Sequence, residues 1–239
     1  MQVVGVDGCP GGWVAVTWDT VKRTLVTRVH PTFVDVLDVY QDAAAIGVDI
    51  PIGLSEGEPR QCDLAARKAI SPRGSCVFPA PDARLVEALI QANVSVHDFR
   101  YALSLAHELT DKGMSKQAFY ICPKITEVNQ AMTPELQQRV VEVHPEVSFW
   151  ALAGKQPMRH KKRRQAGYDE RAKLLEEKLG VTIWPRKEAF EIVRPAKLDD
   201  VLDATVAAWT AHRAAAGIAE LLPPNPPVDR RGLRMQIVV

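Results

Sequence analysis

Five carboxylates stand where an acid is a poor structural choice. Asp7 closes the β-branched run from Val3, Asp49 lies inside Ile46-Gly47-Val48-Asp49-Ile50-Pro51-Ile52, and Glu142 interrupts the apolar run Val140 to Val143. Asp200 and Asp203 stand near the start of the last long helical pattern. Alternation along a strand puts Val3, Gly5 and Asp7 on one face and Val140, Glu142 and His144 on one face. Asp200 and Asp203, three apart on a helix, are neighbours. Each acid alone has an ordinary explanation as a turn former or helix cap, but together they sit badly in buried elements. Carboxylates that converge without a matching set of lysines repel one another, and a hard divalent cation, Mg²⁺ or Mn²⁺, resolves the repulsion. Two such ions about 3.5–4 Å apart would activate a water and stabilise the leaving oxygen in phosphodiester hydrolysis. The expected metal ligands are therefore Asp7, Asp49, Glu142, Asp200 and Asp203, with His144 placed to position or deprotonate the attacking water.

Two basic groupings offer phosphate contacts. Arg60, Asp63 and Arg67 recur at i, i+3 and i+7, one face of a helix. They read either as a phosphate grip assisted by Lys124 and Arg73 or as a surface ion pair. The run Arg159-His160-Lys161-Lys162-Arg163-Arg164 holds five formal positive charges in six residues. Lys161, Lys162 and Arg163 could supply sequence-independent attraction to nucleic acid, or lie on a solvated loop. Gly8-Cys9-Pro10-Gly11-Gly12 lacks the phosphate-loop pattern and joins strand to strand, so it reads as a hairpin turn.

The elements that must position these groups follow from periodicity. Val3 to Asp7, Trp13 to Trp18 and Thr24 to Val29 are consecutive strands with short connections. Phe33, Val36, Leu37 and Tyr40 have helical spacing after an N-cap at Thr32, and Ala45 to Ile50 is a buried strand. The order is βββαβ. Residues 51–138 are proline-rich, carry helical patterns at Gln61 to Ala69, Ala83 to Ala92 and His97 to Leu109, and read as a helical insertion within a single domain. Beyond it come a strand at Val140 to Val143, helices at Glu146 to Leu152 and Asp169 to Leu179, and an alanine-rich helix from Asp199 or Asp200 to Ala216. A terminal strand, Leu233 to Val239, could extend a sheet edge.

The chain has 239 residues, 46% apolar and 25% charged, a globular composition that excludes disorder and fibrous repeats. With 30 basic and 29 acidic side chains, no global field draws it to nucleic acid or a membrane surface. Removing the five charges of the basic run leaves 25 against 29, so the charge is segregated rather than absent. No apolar stretch reaches the roughly 20 residues of a membrane span and no signal peptide opens the chain, which gives a cytoplasmic expectation. The four cysteines lack paired spacing and call for neither zinc nor disulfides.

The βββαβ order, with acids on strands one and four and on the last helix, resembles the ribonuclease H-like fold. Asp200-Val201-Leu202-Asp203-Ala204 is similar to the last-helix motif of RuvC-type resolvases, and Val4-Gly5-Val6-Asp7-Gly8 with Gly11-Gly12-Trp13 to their opening hairpin. More closely, the chain resembles the domain of unknown function 429 family, regarded as predicted nucleases of that fold. The shared segments include Asp49-Ile50-Pro51-Ile52-Gly53-Leu54, Arg60-Gln61-Cys62-Asp63, Val77-Phe78-Pro79-Ala80-Pro81, Pro123-Lys124-Ile125-Thr126-Glu127 and Glu142-Val143-His144-Pro145-Glu146. The resemblance implies a metal-dependent nuclease and favours the phosphate reading of Arg60 and Arg67. Resolvases carry Glu where this chain has Asp49, and this chain adds Glu142 and Glu146. Two other functions compete: an actin-like nucleotide-phosphate-binding protein, which wants a second glycine-rich hairpin, and a non-catalytic binding protein that keeps the fold.

Overall fold

Val3, Val4 and Val6 are buried on both sides of the first strand, which marks it as central. In the computed structural model, which describes residues 1–95, 97–183 and 194–239, that strand is β1 (Gln2–Cys9). It hairpins into β2 (Gly12–Asp19), and β2 into β3 (Thr24–His30), whose alternating exposure is that of an edge. Helix α1 (Phe33–Val39) starts at Thr32, whose hydroxyl accepts from the Asp35 amide while Asp35 accepts from the Thr32 amide, the reciprocal cap expected of a short helix. Strand β4 (Ile46–Val48) then runs parallel to β1.

Four helices separate β4 from β5 (Val140–Glu142): α2 (Gln61–Ala69), α3 (Ala83–Gln91), α4 (Phe99–Thr110) and α5 (Lys116–Ala131). The chain continues through α6 (Pro145–Leu152), α7 (Gln165–Leu179) and α8 (Leu198–Ala215). The result is a mixed α/β fold with eight α-helices among the described residues and a five-stranded sheet in the order β3-β2-β1-β4-β5. The pairs β1–β2 and β2–β3 are antiparallel, while β1–β4 and β4–β5 are parallel.

Helices cover both faces of the sheet. Val4, Val6, Ile46, Val48 and Val140 pack with α1 and with Ile125, Val128 and Met132 in and beside α5. The opposite face meets α8 through Ala204, Ala207, Ala208 and Ala211.

Two expectations change, and a third falls outside the described residues. Helix α5 went unread because Pro123 interrupts it; the helix runs through the proline, and docking of Phe119, Cys122, Ile125 and Val128 offsets the lost hydrogen bond. Only Ile237–Val238 of the terminal segment is strand, β7, and it pairs with β6 (Leu221–Leu222) in a separate two-stranded sheet. The few residues after Gly180, which carry no regular pattern in the sequence, fall mostly on 184–193, outside the described residues. No described helix is long and apolar enough to cross a membrane.

Candidate metal centre

The parallel pairing of β1 and β4 sets Gly5 beside Gly47 and Val6 beside Val48, and the Asp49 amide donates to the Val6 carbonyl at 3.0 Å. Asp7 and Asp49 are thus neighbours at the carboxyl ends of two parallel strands. With a period of two they face the same way as Gly5 and Gly47. That face receives α8 at very short range. A Cβ on Gly5 would lie 1.8 Å from the Ala204 carbonyl oxygen, and one on Gly47 would lie 2.7 Å from that of Ala207. Glycine on the strands and alanine on the helix therefore let the backbones touch. Asp203, one residue before Ala204 and 2% exposed, is thereby carried to the two strand ends.

Electrostatics report the crowding. Burial, then the charges of Asp49, Asp203 and Asp200, holds the Asp7 carboxyl well above the usual carboxylate range. Burial and repulsion from Asp203 push Asp49 up to about 8. Burial raises Asp203 against the opposing pull of Lys162. Asp200 is raised by burial, although its Oδ2 accepts the Lys197 amide at 2.9 Å, so it caps the helix as well as facing the cluster. Among the described residues, no donor hydrogen-bonds the carboxylate of Asp7 or Asp49.

Glu142 stands apart from the aspartates. It pairs with Val48, so it points to the face opposite Asp49, where it meets Arg60 at 2.6 and 2.8 Å. Arg60 also reaches Asp63 at 2.6 Å. The Ile52 amide donates to Glu142 at 2.6 Å and the Ala80 amide to Asp63 at 2.9 Å. All four carboxylate oxygens of Glu142 and Asp63 are consequently filled. Cys62, Asp63 and Glu142 are the trio of donors, among the described residues, whose ligand atoms all lie within 4.8 Å of one another. The guanidinium already supplies the cation there. Asp7, Asp49 and Asp203 do not meet that limit as a trio.

Arg60 is likewise enclosed by protein groups. It is 2% exposed and donates to the Ile52 and Gly53 carbonyls as well as to the acids, so it braces the loop after Asp49 instead of reaching phosphate. Arg67 donates to the Val77 carbonyl at 2.8 Å. Lys124 donates to the Gly12 carbonyl at 2.7 Å and lies 4.1 Å from the centre of the Trp13 ring. Burial lowers its pKa, and it secures the β1–β2 turn beside Asp7. Lys162, expected on phosphate, forms an ion pair with Asp203. Of the basic run, Lys161 is exposed, and Arg163 lies 3.6 Å from Asp199. His144 has no hydrogen-bond partner at Nδ1 among the described residues. Burial holds its imidazole below the usual range, and the charges it senses are those of Glu146, Lys162 and Asp63.

Two supporting residues escaped sequence reading. Asn129 donates to the Pro51 carbonyl at 2.8 Å and accepts from the Gly53 amide at 2.9 Å, clamping the Asp49 loop from the other side. Its signal was a polar residue on the apolar stripe of α5. Glu127 accepts from Trp13 Nε1 at 3.0 Å and from the Phe33 amide, joining α5 to the hairpin and to α1. Beside the cluster, Lys162, Arg163, Arg194 and Lys197, with Asp199, line a cavity of about 370 Å³ among the described residues.

A family model described as a protein of unknown function, DUF429, matches residues 5–228. The chain belongs to this family. The DUF429 span takes in every candidate residue from Asp7 to Asp203. No curated protein and no solved structure matches the chain.

Proposed function

We propose that this DUF429 chain is a divalent-cation-dependent phosphodiesterase of ribonuclease H-like fold acting on nucleic acid. The strand order β3-β2-β1-β4-β5 supports the fold. The observation that carries the function is the contrast between two acid groups. Glu142 and Asp63 have every oxygen satisfied, whereas Asp7 and Asp49 have no donor among the described residues and face Asp203 across the β1–α8 contact. Aspartates left open and mutually repelling at the carboxyl ends of parallel strands are suited to an oxygen-ligated hard cation.

Asp7, Asp49 and Asp203 are the residues that would hold Mg²⁺ or Mn²⁺, with Asp200 at the margin. When bound, such a cation supplies Lewis acidity to a phosphoryl oxygen and acidifies water. The protein's own contribution is placement: Asn129 and Arg60 fix the Asp49 loop, and the Gly5–Ala204 contact fixes Asp203. The basic cavity beside the cluster favours a phosphate-bearing substrate. His144, whose imidazole burial keeps below its usual range, has an Nδ1 without a partner among the described residues that could serve as the base.

The test is cleavage of labelled single-stranded, double-stranded and branched DNA and RNA with Mg²⁺ or Mn²⁺. The proposal expects cleavage of at least one substrate, lost on chelation and in both Asp7→Asn and Asp203→Asn. Metal-independent cleavage, or cleavage unchanged in both variants, contradicts it.

A further inference from the structure

Resting on the reading of Asp7, Asp49 and Asp203 as a cation site, we propose that Lys162 is a permanent cation of that site, so that it takes one divalent ion and not two. The ammonium pairs with Asp203, and its charge also acts on Asp7 and Asp49. It enters from the basic run, but its neighbours do not follow it inward: the Arg163 side chain is 81% exposed against 40% for Lys162.

The loop that delivers Lys162 is tightly built. Glu170 accepts the amides of Arg159 and His160 at 2.8 and 3.0 Å. Arg171, buried to 1% exposure, donates to the His160 carbonyl at 3.1 Å. The Arg164 amide returns to the Lys161 carbonyl at 3.0 Å. A Cβ on Gly167 would lie 2.0 Å from that same carbonyl oxygen, so glycine lets the loop fold flat onto the first turn of α7. These contacts fix the backbone on both sides of Lys162 and turn its side chain toward the aspartates.

Charge arithmetic then decides the occupancy. Asp7, Asp49 and Asp203 carry −3 when ionised, which one divalent ion and one ammonium neutralise, and Asp200 at the margin adds one further negative charge. A second divalent ion beside Lys162 would leave an excess of +2 on these three carboxylates, or +1 with Asp200 counted, among buried and half-buried aspartates where like charges are costly. Removing the ammonium opens room and charge for that second ion.

The experiment is a Mn²⁺ titration of the full chain, counting bound ions by the loss of the free-ion electron paramagnetic resonance signal. It compares wild type, Lys162→Met and Lys162→Arg, with folding checked by circular dichroism. We expect one ion in wild type and in Lys162→Arg, and two in Lys162→Met. Two ions in wild type overturn the proposal even if Lys162→Met fails to fold, as does a folded Lys162→Met that binds one. No Mn²⁺ bound by wild type contradicts the underlying cation-site reading instead.

Discussion

Arg60 and Glu142, 82 positions apart in the chain, are joined by two hydrogen bonds of 2.8 and 2.6 Å with both side chains buried. Their pairing ties α2 to β5 and, through the Ile52 amide and the Ile52 and Gly53 carbonyls, holds the loop that follows Asp49. Glu142 is therefore a positioning residue on the far face of the sheet from the open aspartates.

Removing one member of that pair leaves a buried charge short of its partner. Glu142→Ala should cost about 3–5 kcal/mol, read from urea unfolding. Mn²⁺ binding should persist in the folded fraction, weakened by no more than about tenfold as the Asp49 loop loosens. Complete loss of binding from a folded Glu142→Ala would return Glu142 to the ligand set.

Asp7→Asn separates the two roles of the cluster. Asp7 is harder to ionise in the fold than in the unfolded chain, so its negative charge opposes folding at pH 8. The variant should gain on the order of 1 kcal/mol in metal-free buffer. For a chain of this length that is about 2–4 °C in Tm. The thermal shift that Mn²⁺ gives wild type should vanish. Differential scanning fluorimetry at pH 8, with and without Mn²⁺, checks both effects.

The pH dependence follows from the same sign. Asp49 at about 8, with Asp7 and Asp203 also raised, means that the folded metal-free chain binds more protons than the unfolded one between the ordinary carboxylate range near pH 4 and about pH 8. Stability contributed by these groups is fully present at the acid end of that window and falls as pH rises through it. Mn²⁺ affinity should run the other way, rising toward pH 8 with release of protons. Calorimetry at pH 6.5 in two buffers of different ionisation heat measures that release; equal apparent enthalpies would contradict the coupling.

The Gly5 contact is a steric prediction. Gly5→Ala puts a methyl 1.8 Å from the Ala204 oxygen and 2.2 Å from the Ala208 nitrogen, both backbone atoms that cannot rotate away. The variant should lose about 3 kcal/mol or more, the upper range for overpacking, and Mn²⁺ affinity should fall as α8 and Asp203 retreat. Denaturant midpoints and Mn²⁺ titration report the two effects.

What the sequence disclosed depended on whether a local pattern or a distant partner decided the matter. The strands and α8 carry their own periodicity, and Asp7, Asp49 and Asp203 stand out because an acid conflicts with the burial those patterns demand. The face of Glu142 is set by the pairing of β5 with β4, a register made across the 91 residues between the two strands that the run Val140 to Val143 does not contain. Arg60 follows from this, since its buried partner was placed elsewhere. Lys162 is one of several cations in a row, and only the grip of Glu170, Arg171 and Gly167 on the loop selects it for Asp203. Helix α5 was hidden because Pro123 is read locally as a break, although a packed apolar face tolerates it.

Anomalous diffraction from Mn²⁺-soaked crystals tests the central claim most directly. The account predicts a Mn²⁺ peak ligated by Asp7, Asp49 and Asp203, with Lys162 still beside Asp203. A peak at Cys62, Asp63 and Glu142, or no peak among the three aspartates at saturating Mn²⁺, would contradict it.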